Sequence, residues 1–329
     1  MSFVALKQSI FSDSIEANFN SVALDIFKHQ AEHCNVYKDY LNLLSIDVNS
    51  IQNIIDIPFL PIELFKSHKV ISSDKPAEII FESSGTGGDR SKHHVLSTDL
   101  YNKSIKKCFE HFYGDINQYD FYALLPSYYN NKNSSLLYMV NEWLKLRGQN
   151  ANQSYLQKPT DLKQALEKYN RSKIPFIIGV SHSLLDFAEQ FSITIPQHIV
   201  METGGMKGMR KEMIREELHQ ILKKSFGVNQ IHSEYGMTEL LSQCYSKSEG
   251  IFNTPPWMQI LIRDVNDPML LLEDGITGGI NIIDLANINS CSFIATQDLG
   301  KKVNKNQFEM LGRFDNSDIR GCNLLTTNQ

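Results

Sequence analysis

The amino-acid sequence predicts an α/β fold, in which short buried strands alternate with helices. From about Glu78 onward, short apolar runs end in glycine or small polar residues, and amphipathic stretches follow them. This order of strand, loop and helix is typical of α/β proteins. The predicted strands cover residues 79–81, 121–125, 176–180, 199–201 and 230–232, and a helix is expected from about Ser183. Because ligands of open α/β sheets gather beyond the carboxyl ends of the strands, we expect function in the loops that follow them.

The regions on either side of these strands have different patterns. Residues 15–33 carry apolar side chains at helical spacing, and Ile57-Pro58-Phe59-Leu60-Pro61 then interrupts that pattern with two prolines. Past Trp257 the sequence predicts mainly strands, with turns expected at Asp274-Gly275 and Gly278-Gly279. We therefore predict a helical segment over residues 1–75, a first α/β lobe over 76–200 and a second lobe over 201–329.

Composition and charge exclude several classes of protein. The 329 residues are 42% hydrophobic, enough for a sizeable core, and the formal net charge of -5 comes from scattered charges that offer nucleic acid no basic surface. No apolar run approaches the roughly 18 residues that span a bilayer, and the first residues lack a secretory signal, so we expect a cytoplasmic protein. The five cysteines are odd in number and lack CxxC spacing, which argues against a disulfide framework or a zinc site.

The first candidate loop is Ser83-Ser84-Gly85-Thr86-Gly87-Gly88. Glycines after a strand let backbone N–H groups approach an anion closely, and the hydroxyl groups can donate further hydrogen bonds. Arg90 and Lys92 follow and could neutralise phosphate charge. The loop fits neither GxxxxGK[ST] nor GxGxxG, and the alternative interpretation is an ordinary surface turn with solvated basic residues.

The second candidate loop contains Tyr235-Gly236-Met237-Thr238-Glu239. A tyrosine can stack on a purine, a threonine can reach a phosphate oxygen, and a carboxylate beside phosphates is a suitable Mg²⁺ ligand. The alternative makes Tyr235 a core aromatic, Thr238 a helix cap and Glu239 a solvated residue in the first helical turn.

Two later segments extend the pattern. Thr296-Gln297-Asp298 places a carboxylate at the end of an apolar stretch, where it could accept hydrogen bonds from ribose hydroxyls. Gly312-Arg313-Phe314-Asp315 follows. Taken in order, the four segments resemble the signature motifs of the adenylate-forming superfamily, which includes acyl-CoA synthetases, adenylation domains and luciferases. A further resemblance is to the acyl-protein synthetases of bacterial bioluminescence. The segments that carry it are Ile57–Pro61, Leu125-Pro126-Ser127-Tyr128 and Arg320-Gly321-Cys322.

The resemblance implies a fold, a reaction and a set of roles. The fold would be the large domain of an adenylate-forming enzyme, with packed α/β lobes and a small β-rich C-terminal part. The reaction would use ATP and Mg²⁺ to convert a carboxylic acid, expected to be a fatty acid, into acyl-AMP and then pass the acyl group to a thiol. Partners would be the acid and an acyl-acceptor protein, such as a reductase or a carrier protein. The resemblance implies that the β- and γ-phosphates are bound by Ser83, Ser84, Gly85, Thr86, Gly87, Gly88 and Lys92, and the α-phosphate by Thr238. It implies that adenine is bound by Gly204, Gly205, Tyr235 and Gly236, and ribose by Asp298 and Arg313. Glu239 would bind Mg²⁺, and Cys322 would be the acyl acceptor.

The sequence also departs from the superfamily pattern. Gln297 replaces a glycine, Gly87 stands where a second threonine is common, and the mobile C-terminal domain with its catalytic lysine is expected to be absent. That absence fits an acyl-protein synthetase better than a CoA ligase. An aryl- or acyl-CoA ligase of the phenylacetate type and a non-catalytic nucleotide-binding relative remain as alternatives.

Overall fold

The structure is a computed structural model of the chain. This structure describes residues 2–84, 90–125, 133–169, 172–193, 195, 197–204, 210 and 213–314. The predicted Gly85, Thr86, Gly87, Gly88, Gly205 and Cys322 lie outside these described residues. No helix in the described ranges is long and apolar enough to cross a membrane.

The helices cluster in the first two thirds of the chain. They are α1 (Phe3–Ser9), α2 (Ile15–His33), α3 (Asn35–Leu43), α4 (Leu64–Ser67), α5 (Thr98–Tyr113), α6 (Ser135–Arg147), α7 (Ala151–Ser154), α8 (Pro159–Glu167), α9 (Ser181–Gln190) and α10 (Arg215–Phe226). The helix predicted over residues 15–33 is confirmed by α2. Short 3₁₀ turns lie at Val48–Ser50, Ile54–Asp56, Ile116–Gln118 and Leu285–Asn289.

The strands become dense towards the end of the chain, as the sequence predicts. They are β1 (Leu60–Pro61), β2 (Ile79–Glu82), β3 (Lys92–Val95), β4 (Tyr119–Leu124), β5 (Tyr155–Leu156), β6 (Ile174–Val180), β7 (Ile199–Thr203), β8 (His232–Tyr235), β9 (Cys244–Ser246), β10 (Ile251–Asn253), β11 (Met258–Arg263), β12 (Thr277–Asp284), β13 (Phe293–Asn304) and β14 (Gln307–Arg313).

Most of these strands form one mixed sheet in the order β11-β12-β13-β14-β10-β9-β8-β7-β6-β4-β5, with β1 beside β13. Strands β5, β4, β6, β7 and β8 run parallel to one another. From β8 onward, through β9, β10, β14, β13 and β12 to β11, each pairing is antiparallel. Strands β2 and β3 form a separate antiparallel hairpin. Helices and a large sheet of this kind confirm the predicted α/β class.

Alternate residues of β6 show how helices cover both faces of the parallel region. Phe176 packs against Phe109 of α5 and Trp143 of α6, with ring centroids 5.6 Å and 6.0 Å away. Ile177 joins a second buried cluster that contains Phe187 of α9 and other residues of α8 to α10. Because side chains alternate across a strand, the parallel strands are buried on both faces.

Two local predictions are corrected by the fold. Gly278-Gly279 lies inside β12 rather than in a turn, and both residues pair with β13. Glycine fits at position 278 because a Cβ atom would come within 2.2 Å of the Arg263 carbonyl oxygen on the adjacent strand. The strand predicted over residues 230–232 begins at His232 and continues to Tyr235. The turn at Asp274-Gly275 is confirmed, and Gly275 has a φ of +89° that favours glycine.

Candidate functional site

The carboxyl ends of β7 and β8 bring together the segment that begins at Gly204 and the loop that contains Gly236. Val180 pairs in register with Thr203, and Thr203 pairs with Glu234. The Thr203 hydroxyl donates a hydrogen bond of 2.5 Å to the Glu234 carboxylate, which links the end of β7 to the end of β8. Gly204 follows β7 with a φ of +73°, and Gly236 follows β8. A Cβ atom at Gly236 would come within 2.4 Å of a Glu234 carboxylate oxygen, so a larger residue there would displace that carboxylate.

The predicted phosphate loop joins β2 to β3. Its base is closed by two hydrogen bonds of 3.0 Å, from the Ser83 N–H to the Ser91 carbonyl oxygen and from the Ser91 N–H to the Ser83 hydroxyl oxygen. Ser84, at the start of the loop, is exposed. The hairpin therefore holds both ends of the loop at a fixed separation.

The predicted phosphate-loop cation, Lys92, starts β3 and is exposed. Its neighbours Ser91 and His93 are buried, and side chains alternate along a strand, so Lys92 projects from the opposite face of β3. Its contact with phosphate stays a prediction.

Glu239 lies in a turn rather than a helix. The Leu240 N–H donates to the Met237 carbonyl oxygen at 3.1 Å, and residues 238–239 form the turn. The interpretation of Thr238 as a helix cap is therefore wrong. Thr238 is half-buried, whereas the Glu239 side chain is buried. Burial raises the pKa of Glu239, while the nearby Ser91 side chain opposes that shift.

Asp298 and Arg313 face each other on neighbouring strands. They are register partners of β13 and β14, and the Arg313 Nε donates to Asp298 Oδ1 at 3.0 Å. The Tyr235 hydroxyl donates to Asp298 Oδ2 at 2.8 Å. The Tyr235 ring packs against Phe252 and Phe308, so its ring and hydroxyl are both held by protein groups in this conformation. Stacking of Tyr235 on a purine stays a prediction.

The separate motifs meet in one network of contacts and charges. The charges of Arg313 and Asp298 both act on the Glu239 carboxyl group, Arg313 lowering its pKa and Asp298 raising it. Ser91 connects Glu239 to the base of the phosphate loop. The network contains two buried carboxylates, and the charges of two guanidinium groups, Arg313 and Arg263, act on it.

Several residues that shape this site were missed by the sequence analysis. His93 contacts the Thr238 carbonyl oxygen, and Asn287 Nδ2 donates to the Glu239 carbonyl oxygen at 2.7 Å. Asp284 accepts hydrogen bonds from the N–H groups of Leu241 and Ser242, each at 3.0 Å. Ser91 and His93 alternate with Lys92 directly after the phosphate loop, and this local pattern could have indicated that their side chains share one face of a strand beside the site. The roles of Asp284 and Asn287 depend on contacts between distant segments and leave no comparable pattern.

Comparison with known proteins places these observations in a family. Residues 6–146 match the family described as "Acyl-protein synthetase, LuxE". A long-chain-fatty-acid–luciferin-component ligase of Photorhabdus luminescens is 36% identical over 81 residues, which make up 24% of this chain and 69% of the relative.

Solved structures show the same fold at low sequence identity. An open conformation of 2-hydroxyisobutyryl-CoA ligase, in complex with 2-HIB-AMP and CoA, is 10% identical with a TM-score of 0.65 and aligns over 91% of this chain and 76% of its own. ATP-bound MatB from Rhodopseudomonas palustris is 15% identical with a TM-score of 0.51 over 74% of this chain. The present chain spans about half the length of MatB and of an ATP-bound MatB chimera, 50% and 49% respectively.

Proposed function

Because this chain belongs to the LuxE acyl-protein synthetase family, we propose that it activates a carboxylic acid with ATP and transfers the acyl group to a thiol. The observation that carries the proposal is the network in which Glu239, Asp298 and Arg313 meet beside the base of the phosphate loop. The Photorhabdus relative is named for a long-chain fatty acid, which favours a fatty acid as the substrate here.

The nucleotide would lie across the carboxyl ends of β7 and β8 and the middle of β13, where Asp298 lies. In the proposed arrangement, Asp298 accepts hydrogen bonds from the ribose hydroxyls and Arg313 steadies the Asp298 carboxylate. Adenine lies beside Gly204, Gly205, Tyr235 and Gly236. The loop from Ser83 to Gly88 holds the terminal phosphates, with Lys92 as its cation. MatB and MenE, which share the fold, were solved with ATP and AMP respectively.

Glu239 is the proposed Mg²⁺ ligand, and its environment fits a cation. Burial disfavours the charged form of its carboxyl group, and a bound cation would reverse that effect. The described residues contain no group of three metal-binding side chains, so the remaining ligands would be phosphate oxygens and water, as Mg²⁺ prefers. The ion would offset negative charge on the phosphates.

The first half-reaction would then follow from positioning and charge. An oxygen of the substrate carboxylate attacks the α-phosphorus, the bond from that phosphorus to the bridging oxygen breaks, and pyrophosphate leaves. Thr238, next to Glu239, would donate a hydrogen bond to an α-phosphate oxygen. Holding the two reactants in line supplies much of the acceleration in such a reaction.

In the second half-reaction, a thiolate sulfur attacks the acyl carbonyl carbon, the carbon–oxygen bond to AMP breaks, and AMP leaves. We propose Cys322 as that thiol and a reductase or carrier protein as the next acceptor. The four cysteines in the described ranges are buried. Burial raises their pKa values, to about 12 for Cys108. Each of these four is therefore a poor nucleophile, which favours Cys322.

The test is pyrophosphate–ATP exchange with purified protein, Mg²⁺ and a panel of straight-chain, aromatic and hydroxylated acids. We expect exchange with at least one acid, strongest with long straight chains. No exchange with any acid would contradict acid activation. Exchange followed by release of acyl-CoA when CoA is added would identify a CoA ligase instead.

A further inference from the structure

The buried face of β3 contacts the turn that carries Thr238 and Glu239. The His93 side chain, only 1% exposed, projects from this face. Its Nδ1 lies 2.9 Å from the Thr238 carbonyl oxygen, and its Nε2 lies 3.0 Å from the Ser290 hydroxyl oxygen. Ser91, two residues earlier on the same side, acts on the Glu239 carboxyl group, whose pKa it lowers.

The direction of the two His93 hydrogen bonds follows from their partners. A carbonyl oxygen can only accept, so Nδ1 must carry the proton that is donated to Thr238. A neutral imidazole then has Nε2 as an acceptor, so the Ser290 hydroxyl donates to Nε2 at 3.0 Å rather than to the more distant Asn287 carbonyl oxygen at 3.3 Å. His93 is thus fixed at both nitrogens, and its ring meets the Phe65 ring edge to face, with centroids 5.9 Å apart.

Two hydrogen bonds hold the turn, from His93 to the Thr238 carbonyl oxygen and from Asn287 to the Glu239 carbonyl oxygen. The Ser91 side chain acts on the Glu239 carboxyl group, whose pKa it lowers. His93 belongs to β3 and Ser91 directly precedes that strand, and the main chain of Ser91 closes the base of the phosphate loop against Ser83. The position of the turn is therefore tied to the base of the phosphate loop through residues 91–93.

The geometry points to His93 as a positioning residue that sets the Thr238–Glu239 turn relative to the phosphate loop, so that metal binding at Glu239 depends on β3. This inference rests on the proposed function, because it takes Glu239 as the metal ligand. A nucleotide held by the loop and a cation held by Glu239 must fit each other within a fraction of an ångström. Loss of the His93 contact should therefore weaken metal binding more than nucleotide binding.

The variants separate this contact from packing. His93→Phe keeps an aromatic ring against Phe65 but removes both hydrogen bonds. His93→Asn keeps a short side chain whose amide can donate to the Thr238 carbonyl oxygen, and it should restore much of the lost function. His94→Ala is the matched control, because His94 is the next residue on β3 and projects from the opposite face. Ser290→Ala removes only the second hydrogen bond of His93.

The first measurement does not depend on turnover. Electron paramagnetic resonance titration of Mn²⁺, in the presence of a non-hydrolysable ATP analogue, gives the metal affinity of the full chain. We expect His93→Phe to lower that affinity by about 10-fold to 100-fold, the usual effect of removing a group that orients a metal ligand. Affinity for the analogue without metal should change less than about threefold, which corresponds to a smaller free-energy change than the loss of a typical single hydrogen bond.

The second measurement is pyrophosphate exchange against Mg²⁺ concentration. The concentration giving half-maximal exchange should rise in His93→Phe, recover in His93→Asn and stay unchanged in His94→Ala. Wild-type binding and exchange with unaltered Mn²⁺ affinity in His93→Phe would overturn the positioning role and leave the proposed function intact. If the wild type binds no metal with the analogue, the proposed function and this inference both fail. If His93→Phe does not fold, His93→Leu, which also removes both hydrogen bonds, takes its place, and wild-type Mn²⁺ affinity in that variant would overturn the inference.

Discussion

Glu239 combines a buried carboxyl group with a neighbouring positive charge. Its side chain is 5% exposed, and the Arg313 charge partly offsets the burial that raises its pKa. A carboxylate in such a place is costly to the fold unless a cation or hydrogen bonds compensate it. This balance suits a group that binds a metal ion during the reaction and is shielded from water at other times.

Glu239→Gln should reduce pyrophosphate exchange by roughly 10²-fold to 10³-fold, because one charge-stabilising group in the transition state contributes about that factor. The side chains are nearly equal in size, so the fold should persist, and thermal unfolding would check this. Glu16→Gln, an exposed change on α2, is the matched control. Normal exchange by the Glu239 variant would remove this carboxylate from the chemistry.

Asp298 has a different position in the network, since its carboxylate accepts hydrogen bonds from the Tyr235 hydroxyl and from the Arg313 guanidinium group. Asp298→Ala should raise KM for ATP about tenfold or more and reduce kcat less, because ribose contacts are alike in the ground and transition states. Asp274→Ala, which removes the 3.0 Å ion pair with Lys302 at a hairpin turn, should leave both constants unchanged. An unaltered KM in a folded Asp298 variant would exclude Asp298 from the nucleotide site.

At the scale of elements, the segment after Glu239 is anchored by the end of β12. Asp284 accepts three hydrogen bonds from Leu241 and Ser242, two from backbone N–H groups and one from the Ser242 hydroxyl at 2.7 Å. The Trp257 indole also donates to the Ser242 hydroxyl oxygen, at 2.9 Å. Burial raises the pKa of Asp284 from 3.8 to about 6, although these hydrogen bonds oppose the shift.

The raised pKa of Asp284 predicts a pH dependence of stability. Between pH 3.8 and about 6 the folded protein holds this proton while the unfolded chain releases it. The contribution of Asp284 to the free energy of unfolding should therefore fall as pH rises through that window and be constant above it. Asp284→Asn cannot titrate. In urea unfolding from pH 4 to 7, the wild-type value minus the variant value should decline up to about pH 6 and then level off. A constant difference would contradict the pKa shift.

The elements and site residues that the sequence predicted are those with a local signal. The apolar spacing of α2 gave its bounds at Ile15 and His33, because a surface helix buries one stripe. Strand β8 was predicted two residues early, since its Ser233 and Glu234 are polar and the first is nevertheless fully buried. Glu239 and Asp298 were found through motifs. His93 was missed because its partners, Thr238 and Ser290, are far from it in sequence.

At the scale of the whole molecule, the site requires the large sheet to curl. Three strands, β9, β10 and β14, separate β8 from β13 in the sheet order, which in a flat sheet would place them about 19 Å apart at roughly 4.8 Å per step. Yet the Tyr235 hydroxyl of β8 reaches the Asp298 carboxylate of β13 at 2.8 Å. Tyr235, Phe252 and Phe308 pack together in the concave space between them. Curling therefore joins the parallel part of the sheet to the antiparallel part at the candidate nucleotide site.

The proposed acyl transfer also involves the whole molecule, because the Cys322 thiol would have to reach an acyl-AMP held by residues from several segments. Incubation with ATP, Mg²⁺ and a radiolabelled fatty acid should label the protein, and neutral hydroxylamine should release the label, since a thioester is readily cleaved by that nucleophile. Peptide mapping of the labelled protein should locate the acyl group at Cys322. Cys108→Ala is the matched cysteine control, and its label should persist, because Cys108 is buried with a pKa raised to about 12.

Cys322→Ser should separate the two half-reactions. The hydroxyl group is a far weaker nucleophile than a thiolate near neutral pH, so the hydroxylamine-sensitive label should disappear. Pyrophosphate exchange should continue at the wild-type rate, because the proposed first half-reaction uses Glu239, Thr238 and the phosphate loop and requires no thiol. A label that persists in Cys322→Ser would rule out this cysteine. A loss of exchange together with the label would instead show that Cys322 contributes to acid activation, and the division of labour proposed for the two half-reactions would be wrong.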